Sequence, residues 1–189
     1  MRYPLIVFDW DGTIIDSHGA IVACMQEASR DLGLAMPERE RASQVIGLGL
    51  HEILRIVAPE LPGMRELLEG LARNHLLGIA TGKSRKGLDR ALAANGIRGL
   101  FAASRCADET NPKPHPAMLL ELMGELQVNA AGVLMIGDTS HDMGMARAAG
   151  VHAVAVAYGA HSEEGLRACR PLRCFSDAAE LHEWLKTNA

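Results

Sequence analysis

Asp9 and Asp11 stand one residue apart at the end of an apolar run, Leu5-Ile6-Val7-Phe8, and Gly12 and Thr13 follow at once. Acidic side chains crowded in this way repel each other unless a cation or a shared proton relieves them. Three further polar signals lie downstream: Thr81-Gly82, Lys113-Pro114, and Gly137-Asp138 with Asp142. As a set they describe one chemistry. Two or three carboxylates gather a hard cation such as Mg²⁺, which prefers oxygen ligands. A hydroxyl, backbone N–H groups and an ammonium cradle an anion, and a phosphoryl group fits best. A carboxylate left over attacks phosphorus while its neighbour moves protons.

The elements that must position these groups follow from periodicity. Residues 5–8 read as a strand buried on both faces. Apolar runs at 76–80, 133–136 and 151–157 read as further strands, with a weaker one near 101–103. Between them the spacing turns helical. Met64, Leu67, Leu68 and Leu71 share a face, as do Leu88, Ala91 and Leu92 before the stop at Asn95-Gly96. Pro116 opens a helix carrying Leu119, Leu120, Met123 and Leu126, and a short helix from about Asp142 stops at Gly150. Asp177 and Glu180 cap a last helix lined by Ala178, Leu181 and Leu185.

This alternation predicts an α/β fold, a doubly wound, mainly parallel, Rossmann-like sheet. The carboxyl ends of such strands share one rim, so signals that each follow a strand converge there. Residues 17–62 break the alternation as a small all-helical insert. Ile21, Val22, Met25, Ala28 and Leu32 give a first helix, Pro37 opens a second to about Ile46, and a third ends before Pro59. The expected division is a core of residues 1–16 and 63–189 with a helical cap over 17–62.

Bulk properties narrow the partners. A net charge of −4, no long basic run and only 4% aromatic residues argue against nucleic acid. No apolar segment approaches the roughly 18 residues needed to cross a bilayer, and the run before Asp9 is too brief for a signal peptide. Cys24, Cys106, Cys169 and Cys174 are scattered without zinc-type pairing, as reduced thiols of a cytoplasmic protein would be.

Taken singly, Thr81 is an ordinary turn hydroxyl, Lys113 a solvated loop lysine and Asp142 a helix N-cap. Their coincidence favours a metal–phosphate site. His51 reads as a surface residue, His141 as a candidate for the rim, and the remaining histidines show no ligand spacing. Lys83 and Arg85 either reach a substrate or dress the following helix.

Asp9-Trp10-Asp11-Gly12-Thr13, Thr81, Lys113 and Gly137-Asp138 with Asp142 resemble, in order and strand placement, the four motifs of the haloacid dehalogenase superfamily. Asp16-Ser17, Leu61-Pro62-Gly63, Thr81-Gly82-Lys83 and Lys113-Pro114-His115-Pro116 resemble its phosphoglycolate-phosphatase-like branch. The resemblance implies a Mg²⁺-dependent phosphatase working through an aspartyl-phosphate. It makes Asp9 the nucleophile and Asp11 the acid/base, with Asp9, the Asp11 carbonyl, Asp138 and Asp142 around the metal. Trp10, Gly12, Thr81, Gly82 and Lys113 would hold the phosphoryl group.

The insert departs from that pattern, because the branch carries a fuller cap. A small phosphorylated metabolite is the expected substrate, although a short cap also admits a larger phosphorylated one. It also uncovers apolar positions and so favours a homodimer. Caps exclude water and contact the leaving group, so specificity is affected more than phosphoryl transfer. The rival readings are a phosphomutase of the same fold and a weakly catalytic, receiver-like phosphate-binding protein.

Overall fold

A computed structural model describes residues 2–17, 19, 21, 22 and 60–189. The helices expected between residues 23 and 59, and with them most of the expected cap, lie outside the described residues. Elements are numbered over the described part.

Six strands form one sheet: β1 Leu5–Phe8, β2 Leu76–Thr81, β3 Ala103–Cys106, β4 Val133–Gly137, β5 His152–Val156 and β6 Cys174–Phe175, in the order β3-β2-β1-β4-β5-β6. Every pairing is parallel. The helices are α1 Met64–Leu71, α2 Arg85–Asn95, α3 Ala117–Leu126, α4 Ser140–Ala149, α5 Glu163–Ala168 and α6 Ala178–Asn188. The doubly wound reading therefore holds.

Strand alternation explains the two cores. Ile6, Phe8, Leu77, Ile79, Leu134 and Ile136 point to one face, where α1, α2 and α6 bring Leu67, Leu68, Leu88, Leu181 and Leu185. Leu5, Val7, Val133 and Met135 point to the other, against Met118, Leu119 and Leu122 of α3 and Met145 and Ala146 of α4. Both faces are apolar, so the central strands read as unbroken hydrophobic runs.

Two expectations are corrected and two elements are added. The weak strand runs over Ala103–Cys106 rather than 101–103, after a 3₁₀ turn at Arg98–Leu100. It is an edge strand whose Ser104 and Arg105 are polar, so its apolar signal is faint. Helix α4 starts at Ser140, two residues before the expected start. Finally, α5 and β6 were not expected; they have six and two residues, too short for a periodic signal.

The chain before residue 17 meets the chain from Glu60 onward. Ile15 bridges Glu60 in antiparallel fashion, and the Leu61 N–H donates to the Ile14 carbonyl at 3.1 Å. Glu60 is further held by Arg65, whose guanidinium also donates to the Asn95 carbonyl at 2.6 Å. No helix among the described residues is long and apolar enough to cross a membrane.

Candidate active site

The chain leaves β1 toward β2 and β3 on one side, and later returns to lay β4, β5 and β6 on the other. The gap between the carboxyl ends of β1 and β4 is thus the switch point, where open α/β sheets form their ligand crevice. Phe8 pairs with Ile136, and the Asp9 N–H donates to the Ile136 carbonyl at 2.9 Å. Asp9 and Asp138 therefore emerge side by side from adjacent strands. Asp142 reaches the same place from the first turn of α4. One carboxylate oxygen from each of the three lies within 4.8 Å of the other two, and all three residues are buried.

Among the described residues, one buried ammonium faces this cluster. Lys113 Nζ stands 2.8 Å from Asp9 Oδ1 and 2.6 Å from Asp142 Oδ1, and the residue is 1% exposed. Burial works to discharge Lys113, but Asp142 and Asp9 outweigh it and hold the ammonium above its ordinary range. Burial likewise pushes the Asp9 carboxyl up to about 7 against the pull of Lys113, with Asp142 and Asp11 adding repulsion. Asp138 is raised by burial, then by Asp9 and Asp142. Three buried carboxylates against one cation are under-neutralised. The donors are all oxygen, a set that suits a hard divalent ion, whose charge would relieve the crowding of the carboxylates.

Close backbone approach holds Asp138. Gly12 takes a left-handed conformation, φ 76°, and a Cβ there would lie 2.3 Å from Asp138 Oδ2; one at Gly159 would lie 2.2 Å away. Only glycine lets both segments lie against the carboxylate. The Thr13 hydroxyl donates to Asp138 Oδ1 at 3.2 Å and the Ala160 N–H to Oδ2 at 2.7 Å. Asp142 is not the N-cap of α4. That position is Thr139, whose side chain accepts from the Asp142 N–H at 3.2 Å. Asp142 Oδ2 accepts in return from the Thr139 N–H and hydroxyl, at 3.0 and 2.6 Å. This reciprocal box leaves Oδ1 for Lys113.

Asp11 lies at the rim and faces different partners. Its Oδ1 accepts from the Ser17 hydroxyl at 2.6 Å and sits 3.0 Å from Lys83 Nζ. Thr81 is buried as the last residue of β2, one step beyond the level of Asp9, and its hydroxyl accepts from the Lys83 N–H at 3.2 Å. Gly82 follows it in the turn toward α2. Trp10 is buried, and its carbonyl takes the N–H groups of Ile14 and Ile15 at 3.0 and 3.1 Å. The Gly12 N–H is spent on the Ile15 carbonyl at 2.8 Å. Its role in this arrangement is steric, as the close neighbour of Asp138.

The residues singled out from sequence thus fall on one rim: Asp9, Lys113, Asp138 and Asp142 in direct contact or close array, Asp11 and Thr81 beside them. Thr13, named from sequence only as part of the first motif, and Gly159 and Ala160, not singled out there, also lie against Asp138. Gly159 lies in the loop after β5, and a glycine past a strand end is the same type of signal as Gly82. His141 packs edge-on against His161, ring centroids 5.6 Å apart, and His161 accepts from the Ser140 N–H at 3.1 Å.

Comparison with known proteins accords with this geometry. The family model for haloacid dehalogenase-like hydrolases matches residues 6–61 and 58–156. Probable phosphatase IndB of Dickeya dadantii (strain 3937) is 34% identical over 200 positions, covering 89% of this chain and 87% of its own. A phosphoglycolate phosphatase of Rhodospirillum rubrum is 29% identical over 222 positions, covering 95% of this chain and 90% of its own. The crystal structure of a predicted phosphoglycolate phosphatase from Haemophilus somnus 129PT superposes with a TM-score of 0.87 at 24% identity. It covers 98% of this chain and 99% of the other.

Proposed function

The chain belongs to the haloacid dehalogenase-like hydrolases, in the phosphoglycolate-phosphatase-like branch, and from that premise we propose that it hydrolyses phosphate monoesters by way of a phosphorylated Asp9. The observation that carries the proposal is the buried trio Asp9, Asp138 and Asp142 set against the one ammonium of Lys113. Asp9, Asp138 and the Asp11 carbonyl would hold Mg²⁺, with Asp142 acting through Lys113 and Thr139 or through water. Bound there, the ion would offset phosphate charge and so permit an anionic nucleophile to approach an anionic ester.

Asp9 attacks phosphorus in line, and the bond from phosphorus to the ester oxygen breaks. Asp11 gives its proton to the departing oxygen, then takes one from the water that attacks the aspartyl-phosphate. The bond to Asp9 breaks and inorganic phosphate leaves. Thr81, Gly82 and the Trp10 amide would hold phosphoryl oxygens, and Lys113 keeps Asp9 charged and aimed. Catalysis here is positioning and charge neutralisation.

The alignment with the R. rubrum enzyme spans 222 positions, at least 33 more than the 189 residues of this chain. The two matched stretches of the family model meet at residues 58–61. Both facts support a cap shortened within residues 17–62, near its exit. A small phosphorylated metabolite remains the first substrate class to try, with bulkier esters second and self-association as a route to cover the site. A cytoplasmic setting fits the unpaired Cys106, Cys169 and Cys174.

The test is turnover of p-nitrophenyl phosphate with Mg²⁺ and with chelator, followed by acid quenching. We expect Mg²⁺-dependent hydrolysis and phosphate on Asp9 in the quenched protein. Turnover undiminished in Asp9→Asn would overturn the covalent assignment.

A further inference from the structure

Lys83 is mostly buried, its side chain 16% exposed, and its backbone is pinned on both sides. Its N–H donates to Thr81 Oγ1 at 3.2 Å, and its carbonyl accepts from the Ala107 N–H at 3.0 Å. The next residue, Ser84, is the N-cap of α2. A lysine fixed between strand end and helix start has a rigid base, and its ammonium lies 3.0 Å from Asp11 Oδ1. Arg85, the first residue of α2, is turned away onto Glu109 and Ser104. The two lysines of the site thus divide the aspartates: Lys113 serves Asp9 and Asp142, and Lys83 serves Asp11.

Both donors to Asp11, the Ser17 hydroxyl and the Lys83 ammonium, meet the same oxygen, Oδ1. A carboxylate gripped by one oxygen has its rotamer and plane set, and the other oxygen is left to carry the proton. Ser17 is near the entrance to the insert, whereas Lys83 belongs to the core. The core therefore has its own hold on Asp11.

We propose that Lys83 is a positioning residue for Asp11, fixing Oδ1 so that Oδ2 delivers the proton to the leaving oxygen. This rests on the phosphatase reading above. It predicts a split between substrates. An alkoxide leaves only with a proton, whereas p-nitrophenolate is stable enough to leave without one. The ratio kcat/KM reports phosphoryl transfer to Asp9 and loss of the alcohol; kcat also contains hydrolysis of the aspartyl-phosphate, where Asp11 serves both substrates alike.

In Lys83→Met, kcat/KM for an alkyl phosphate should fall at least tenfold further than for p-nitrophenyl phosphate, since a misplacement of about 1 Å can cost a hundredfold. The aryl ester should show a burst of nitrophenolate ahead of a slowed steady state. Lys83→Arg should regain most of the alkyl rate. Equal losses on both esters, or no loss on either, overturn the proposal.

A crystal structure of Lys83→Met supplies a reading independent of turnover: the Asp11 carboxylate is expected to leave its place, and its staying there overturns the proposal. If the unaltered protein hydrolyses neither ester with Mg²⁺, the phosphatase reading falls, and the crystallographic result still decides whether Lys83 holds Asp11.

Discussion

Lys113 and Asp142 form a buried ion pair, Nζ to Oδ1 at 2.6 Å, that ties the loop before α3 to the first turn of α4. Neither side chain touches solvent. The same ammonium reaches Asp9, so one side chain joins two loops and the end of a central strand. Removing it strands the carboxylates. Loss of one partner from a buried pair typically costs about 3–5 kcal/mol. Lys113→Met should therefore unfold at lower urea concentration than the parent, with activity down at least a hundredfold; a variant of parental stability would show that Lys113 is not neutralising the cluster.

Asp9→Asn should separate stability from activity. Burial outweighs Lys113 at this carboxyl and raises it to about 7, so at pH 8 the charged form is held against a net cost. The amide carries no such charge. Calorimetry in chelator at pH 8 is expected to give a melting temperature for Asp9→Asn at or above that of the parent, while turnover is abolished. A clear fall would mean that the pairing with Lys113 exceeds the burial cost.

The same carboxyls set a pH dependence. Asp9 and Asp138 are raised in the folded chain, so between roughly pH 4 and 7 the native state binds more protons than the unfolded one. Without divalent ions, the contribution of Asp9 is complete below the unfolded pKa near 4 and is lost as pH rises through about 7; that of Asp138 has the same sign. A Mg²⁺ ion held by these carboxylates would compete with those protons. The rise in melting temperature on adding Mg²⁺ should be larger at pH 8 than at pH 5. Equal rises at both values would place the bound ion away from these residues.

Gly159 offers a test of geometry alone. A Cβ there would stand 2.2 Å from Asp138 Oδ2 and 2.4 Å from its Cβ, so Gly159→Ala must displace the carboxylate. Losses of about 10–100-fold in metal affinity follow when the supports of a ligand are disturbed. Titration of Mg²⁺ against activity is expected to show that weakening, with far-UV circular dichroism unaltered. Parental Mg²⁺ dependence would remove Asp138 from the metal site.

What the sequence made legible was the centre of the sheet and the chemistry at its rim. Leu5–Phe8 and Val133–Gly137 are flanked on both sides by strands, so their runs are plain and the aspartates after them conspicuous. The edges were blurred. In β3 the alternation is lost to Ser104 and Arg105, and β6 has only Cys174 and Phe175. The supports of Asp138 were hidden for another reason. Thr13 and Ala160 are separated from it by 125 and 22 residues; the motif marks Thr13 without naming its partner, and nothing local marks Ala160. At Asp142 the local rule misled by proximity: Thr139 and Asp142 are both good caps, and reciprocal bonding between them gave Thr139 the cap and Asp142 the third position.

The meeting of Ile15 with Glu60 has a last consequence. That bridge and the bond from the Leu61 N–H to the Ile14 carbonyl join the chain on either side of the intervening segment within the core itself. Since each doubling of a loop adds only about 0.6 kcal/mol of closure entropy, lineages can lengthen, trim or exchange the segment between those two residues at little thermodynamic consequence. A change of length there leaves the carboxylates and Lys113 on their own strands and loops, because those are held by the sheet.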